Sequence, residues 1–167
     1  PYKESILPYL DDITPEARKI GAVNVVKIQR DESYTGGRCM DGIRLTGSNS
    51  DITGFTDSIA PLLEPHHRKA LILGTGGAAK AIKVGLEKLG IQCTHVSRRA
   101  SKDPKDLPSP YLLAYTEITP STLREYHIIV NCSPVGMFPH TEEAPVLPYE
   151  ALSPSHLLYD LIYNPEM

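Results

Sequence analysis

The chain has 167 residues, 41% hydrophobic and 22% charged, with a formal net charge of −3. That is apolar material enough for a core, and the charges form no long run of one sign, which argues against a nucleic-acid surface and a membrane-binding face. Cys39, Cys93 and Cys132 lie far apart without a C-x-x-C pair, and the histidines show no ligand spacing, which predicts reduced, buried thiols and no metal.

From Pro1 to Leu10 a helix is expected, with Ile6, Leu7 and Leu10 facing a core. Lys3 then sits near its start, where the helix dipole disfavours a cation. Thr14-Pro15 reads as a cap and first turn of a short second helix. Val23 to Gln29 is β-branched and reads as a strand. Asn24 is set in apolar surroundings there, so its amide must find partners: backbone groups at a strand end, or a polar ligand. The polar stretch from Arg30 to Arg44, with Gly36-Gly37, reads as a hairpin excursion. Asp51 stands at the mouth of a helix running through Ile59 to Leu63, where an aspartate commonly serves as cap. His66-His67 follow as surface residues.

Lys69 to Ile82 carries the strongest pattern in the chain. A short apolar run, Ala70 to Leu73, is followed by G-x-G-x-x-A at Gly74, Gly76 and Ala79, and then by helical spacing through Ile82, Leu86 and Leu89 up to Gly90. The small residues permit a tight turn, close approach of backbone to a pyrophosphate, and close packing of helix on strand. The helix start offers unpaired N–H groups to an anion. Gly74, Thr75, Gly76, Gly77 and Ala78 are therefore expected to hold a pyrophosphate.

A second strand, Cys93 to Val96, ends in Ser97-Arg98-Arg99, 21 positions beyond Gly76, with Lys102 soon after. In such architectures an acid at this point accepts from the ribose of NAD, whereas arginine receives the 2′-phosphate of NADP. No acid occurs here, and guanidinium forks suit a phosphate dianion. NADP(H) is the expected cofactor. Tyr111 to Tyr115, His127 to Asn131 and His156 to Tyr163 read as three further strands, the last delivering Leu161 and Tyr163 to the edge where ligands bind. The fold class is α/β: a Rossmann-like parallel sheet with helices on both faces, plus part of a smaller α/β substrate domain. The expected division is 1–52 for the substrate side and 53–167 for the NADP-binding side.

Taken together, these segments resemble the shikimate dehydrogenase family. The likeness rests on Pro1-Tyr2-Lys3-Glu4, Ile20-Gly21-Ala22-Val23-Asn24, Gly47 to Gly54, the glycine turn, Ser97-Arg98-Arg99, Asn131 to Met137, and Tyr159 to Pro165, in the family's order over nearly the whole chain. It implies reduction of 3-dehydroshikimate to shikimate with NADPH, in the route to aromatic amino acids. By the same correspondence Lys3 and Asp51 are the catalytic pair, and Asn24, Asp51 and Tyr163 bind substrate. The adenosine ribose and its 2′-phosphate fall to Ser97, Arg98, Arg99 and Lys102, and the nicotinamide to the backbone of Leu161. Ser97-Arg98-Arg99 departs from the family's usual Asn-Arg-Thr, and Ser50 replaces its threonine. A small-molecule substrate, with no nucleic acid or membrane partner, is expected; a homodimer is a candidate assembly and the cytoplasm the expected compartment. A catalytically silent dinucleotide-binding module, or a quinate/shikimate dehydrogenase using NAD, stays open. The family's Ser-x-Ser clamp and C-terminal glutamine do not occur here, so the chain is expected to be a central fragment, weak or inactive alone.

Overall fold

A computed structural model describes residues 2–38, 41–98 and 112–162. Two sheets are built from eight strands among them. The first sheet contains β1 (Asp12–Ile13), β2 (Val25–Arg30) and β3 (Ile43–Ser48), in the order β1-β3-β2. β1 runs parallel to β3 and β2 antiparallel to it, the polar excursion closing the β2–β3 hairpin.

The second sheet is formed by β4 (Lys69–Leu73), β5 (Gln92–Ser97), β6 (Leu112–Ala114), β7 (Ile128–Asn131) and β8 (Leu157–Asp160), in the order β6-β5-β4-β7-β8. Every pairing in it is parallel. β4 is central and reads as a continuous apolar run because both of its faces are covered. Ala70 and Ile72 pack on one face against Phe55 and Ile59 of α2 (Asp51–Ile59), and against Ala79, Ile82 and Leu86 of α3 (Gly77–Lys88). Leu71 and Leu73 pack on the other against Ile118 and against Leu123 of the short α4 (Pro120–Leu123). Close approach of α2 to α3 is possible because Gly85 presents no side chain; a Cβ there would stand 3.1 Å from Phe55 and Thr56.

The first helix expected from sequence does not form. Pro1 lies outside the described residues; Lys3 to Ile6 are turns, followed by a 3-10 turn at Leu7–Tyr9. Pro8 lacks the N–H that a longer α-helix would need and would clash with the preceding turn. The segment is anchored instead through Leu10, 1% exposed, which packs with Val23 and with Ala17 of α1 (Pro15–Ile20). Thr14 caps α1 as its sequence predicts, accepting from the Ala17 N–H. His67 is buried, unlike the surface residue expected: its Nδ1 accepts the Glu64 N–H at 2.8 Å, and its Nε2 lies 3.1 Å from the Ser155 carbonyl. Of the cysteines, Cys93 is buried and Cys132 half-buried, each thiol pushed up to about 12 by burial, so both stay protonated; Cys39 lies outside the described residues. Among the described residues no helix is long and apolar enough to cross a membrane.

Candidate active site

Three polar side chains from three separate segments meet where the first sheet adjoins α2. Lys3 stands in the opening turns, Asn24 just before β2, and Asp51 at the first position of α2. Lys3 Nζ donates to Asp51 Oδ2 at 2.6 Å, and Asn24 Nδ2 donates to Asp51 Oδ1 at 2.6 Å. The backbone fixes this meeting. The Lys3 carbonyl accepts the Val23 N–H at 2.8 Å, and the Asn24 N–H reaches the Ser48 carbonyl at 3.1 Å. Gly47 supplies room beside these segments: a Cβ there would collide with Leu10 and lie 2.8 Å from Val23.

The Lys3 and Asp51 side chains are 51% and 40% exposed. An ion pair so wetted stabilises a fold by only about 0–1 kcal/mol. Its value lies in what it presents to the surface: an ammonium with protons to give, oriented by a carboxylate, beside an amide that can bind a hydroxyl. Asp51 is not the cap of its own helix, the role its position suggests. Ser50 is in the helical region and makes no side-chain cap bond; the Asp51 N–H goes instead to Asn49 Oδ1 at 3.0 Å.

The second half of the site is the glycine turn. Gly74 has φ of +124°, and a Cβ would sit 3.2 Å from the Cys132 carbonyl oxygen, so both conformation and space require glycine there. Gly76 differs: its φ of −73° suits any residue, and a Cβ at Gly76 or Gly77 would meet nothing within 4 Å. Nothing among the described residues calls for glycine at those two positions. Bare backbone there suits a bulky anion laid against the start of α3, which fits a dinucleotide pyrophosphate. Gly74, Thr75 and Gly76 line a cleft of about 580 Å³ together with Ser97, Arg98, Tyr115 and Ser133. A second cleft of about 560 Å³ adjoins it, sharing Arg98, Tyr115 and Ser133. Arg98 thus lines both clefts.

A family model described as the shikimate dehydrogenase substrate binding domain matches residues 1–26, the stretch holding Lys3 and Asn24. A shikimate dehydrogenase (NADP(+)) of Caldanaerobacter subterraneus subsp. tengcongensis is 37% identical over 174 residues, covering 99% of this chain and 57% of the relative. Another from Desulforamulus reducens is 30% identical over 179 residues with the same coverage. The crystal structure of shikimate 5-dehydrogenase from Thermus thermophilus, in complex with NADP(H) and shikimate, matches with a TM-score of 0.71 and 31% identity, over 99% of this chain and 57% of that one. The chain is similar to shikimate dehydrogenases over nearly its whole length. It spans 57% of the length of each of these shikimate dehydrogenases.

Of the residues expected in a shikimate dehydrogenase site, Lys3, Asn24 and Asp51 come together, and Gly74 to Gly76 share a cleft with Ser97 and Arg98. Gly77 opens α3 and Ala78 lies in its first turn. Leu161 follows β8 and is tied to β7 by its N–H, 3.2 Å from the Asn131 carbonyl. Arg99, Lys102 and Tyr163 lie outside the described residues.

Three residues that sequence reasoning passed over support the two halves. Asn49, 8% exposed, caps α2 and reaches the Ala22 carbonyl with Nδ2 at 3.1 Å; an asparagine two residues before a helix start is the signal. His95, 1% exposed, points Nδ1 at the Gly74 carbonyl, 2.8 Å away. That carbonyl can only accept, so Nδ1 carries the proton, and burial pulls the ring's pKa below its usual range. A lone histidine inside an apolar strand is its sequence signal. Asn131, 6% exposed, accepts from the Ser133 N–H at 3.1 Å and hydroxyl at 2.7 Å while donating to Asp160 and to the Val135 carbonyl. It holds the loop after β7 against the end of β8, the edge from which Leu161 projects.

Proposed function

We propose that this chain carries the proton-transfer pair and the cofactor cradle of an NADP-dependent shikimate dehydrogenase, which reduces 3-dehydroshikimate to shikimate in the making of aromatic amino acids. The observation that carries the reading is the Lys3–Asp51–Asn24 cluster, held by hydrogen bonds of 2.6 Å on a surface open to a ligand. In this reading residues 1–52 form the substrate side and 53–167 the cofactor side. NADPH, when bound, supplies the hydride for the carbonyl carbon.

The chain's own groups do the rest. Lys3 Nζ gives a proton to the carbonyl oxygen as the carbon is reduced, and is reprotonated from water. Asp51 keeps Lys3 pointed at that oxygen and, with Asn24, takes hydrogen bonds from the ring hydroxyls. Gly74 to Ala78 carry the pyrophosphate on bare backbone at the start of α3. Arg98 answers the 2′-phosphate, assisted by Ser97, Arg99 and Lys102, while the Leu161 backbone holds the nicotinamide and Tyr163 binds a substrate hydroxyl.

The test is Lys3→Ala in the natural, full-length protein. Shikimate oxidation should fall by about 10²–10⁴-fold, the usual worth of a positioned acid–base group, with the NADPH dissociation constant within about twofold of the parent because Lys3 is not among the residues that line the cleft at the glycine turn. Retained turnover overturns the assignment of Lys3. Parallel assays of the parent with NAD and with quinate separate the proposed reaction from its nearest alternatives.

A further inference from the structure

We propose that Asn49 is the positioning residue of the Lys3–Asp51 pair: by capping α2 with its own side chain, it leaves both carboxylate oxygens of Asp51 for Lys3 and Asn24. The proposal rests on the dehydrogenase reading and deepens it by assigning a role to a side chain that touches neither substrate nor cofactor.

An aspartate at the mouth of a helix ordinarily folds back onto the first free N–H groups. A carboxylate so engaged is turned toward its own backbone and away from a lysine on another segment. Here Asn49 Oδ1 accepts the Asp51 N–H, and the Asp51 carboxylate points outward, with Oδ2 on Lys3 and Oδ1 on Asn24. The amide of Asn49 has only one workable orientation: the Asp51 N–H can only donate and the Ala22 carbonyl can only accept, so oxygen faces the first and NH2 the second.

The second bond matters as much as the first. Ala22 lies two residues before Asn24, so Asn49 ties the start of α2 to the segment that delivers Asn24. Asn24 returns the tie, its Oδ1 accepting the Ser50 N–H at 2.9 Å. The two asparagines thus brace the same pair of segments from opposite directions, and the carboxylate sits between them. Asn49 is buried whereas Lys3 and Asp51 are wet, so its bonds are the protected ones of the group. Aspartate at this position would keep the cap but lose the donor to Ala22 and set a second negative charge beside Asp51. Serine would keep a cap acceptor and lose the reach to Ala22.

A double-mutant cycle in the natural, full-length protein tests this, with kcat and KM for shikimate and NADP and the melting temperature measured for Asn49→Ala, Asp51→Asn and the double variant. Asn49→Ala should lower kcat by about 10²-fold, the cost of a misplaced catalytic group, with KM for NADP unchanged. The double variant should be no slower than Asp51→Asn alone, because Asn49 acts only through that carboxylate. Losses that multiply in the double variant, or an Asn49→Ala kcat equal to the parent's, overturn the proposal while leaving the dehydrogenase reading intact. Parent-like turnover in Asp51→Asn overturns both. If Asn49→Ala does not fold, Asn49→Ser replaces it: it keeps a cap acceptor and loses the tie to Ala22, so kcat should fall by less than about 10²-fold, and a loss that multiplies with that of Asp51→Asn overturns the proposal.

Discussion

The two sheets are stabilised in opposite ways. In the five-stranded sheet, β4 and β7 are buried along nearly their whole length, and apolar side chains from both faces fill the space between sheet and helices. In the three-stranded sheet every residue of β2 is exposed, and the segments that meet at Asp51 are joined largely by hydrogen bonds. In the proposed function, the turn that carries a dinucleotide is set on the buried sheet, and the cluster that admits a substrate and gives up a proton is set on the wet one, where polar bracing replaces packing. Substitutions in the five-stranded sheet should therefore act on folding, and those around the three-stranded sheet on chemistry.

The sharpest contrast comes from the core of β4. Leu71 is 0% exposed and packs with Leu73, Val96, Ile118, Leu123 and Ile129. Leu71→Ala removes that packing and leaves a cavity, which costs about 2–5 kcal/mol. Chemical denaturation should report a lower midpoint with the slope unchanged. A loss of under about 1 kcal/mol would mean that the site collapses to fill the void and that this core is looser than its burial implies.

A smaller effect is expected from pH, and it too belongs to the five-stranded sheet. His95 is held neutral by burial, and His127 by burial and by the neighbouring His156, His66 and His67, so both pKa values lie below the ordinary 6.5 when folded. Above about pH 6.5 these rings are neutral in folded and unfolded chains alike and contribute no pH dependence. As pH falls below that point the unfolded chain takes up protons that the folded chain refuses, and stability drops until the folded-state pKa values are reached. The lowered carboxylates Asp11, Glu16, Asp31, Glu87 and Glu125 lose their contribution only further down, as pH falls from the ordinary carboxylate values of 3.8 and 4.5. The melting temperature should therefore decline as pH falls below about 6.5, ahead of acid unfolding, and His95→Gln should make that decline shallower. A flat profile over this window would show that neither ring stays neutral because of the fold.

How far the sequence could be read follows the same division. The glycine turn, the apolar run of β4 and the helical spacing after it are local patterns, and they appear where those patterns put them. Gly90, with φ of +78°, ends the α3 region as expected of a glycine stop. Apolar spacing through Ile6, Leu7 and Leu10 suggests an opening helix, but Pro8 interrupts it, and the fold satisfies the same side chains with turns. The Asp51 cluster is not local at all. Lys3 and Asp51 are 48 positions apart and Asn24 and Asp51 are 27, and only the resemblance to a family suggested that they meet. Position alone favours Asp51 as a helix cap; Asn49 carries a cap signal of its own two residues earlier, and only the structure shows which of the two takes that duty. The role of His95 is illegible for a related reason, since its partner is a backbone carbonyl 21 positions away that no side-chain pattern encodes.

The smallest effect probes the wet sheet most directly. Ile28 lies in the middle of β2, opposite Leu45 on β3, and is 65% exposed. If β2 is held by its hydrogen-bonded pairing to β3, Ile28→Thr should change stability by no more than about 0.5 kcal/mol, because threonine keeps the β-branched fit to a pleated strand and little buried surface is lost. The bonds that join Lys3, Asn24 and Asp51 do not pass through Ile28, so turnover should stay with the parent's. A loss comparable to that of Leu71→Ala would mean that the outer face of β2 is covered in the natural protein, and the contrast between a packed five-stranded sheet and a braced three-stranded sheet would then be one of which surfaces meet and not of how each sheet is held.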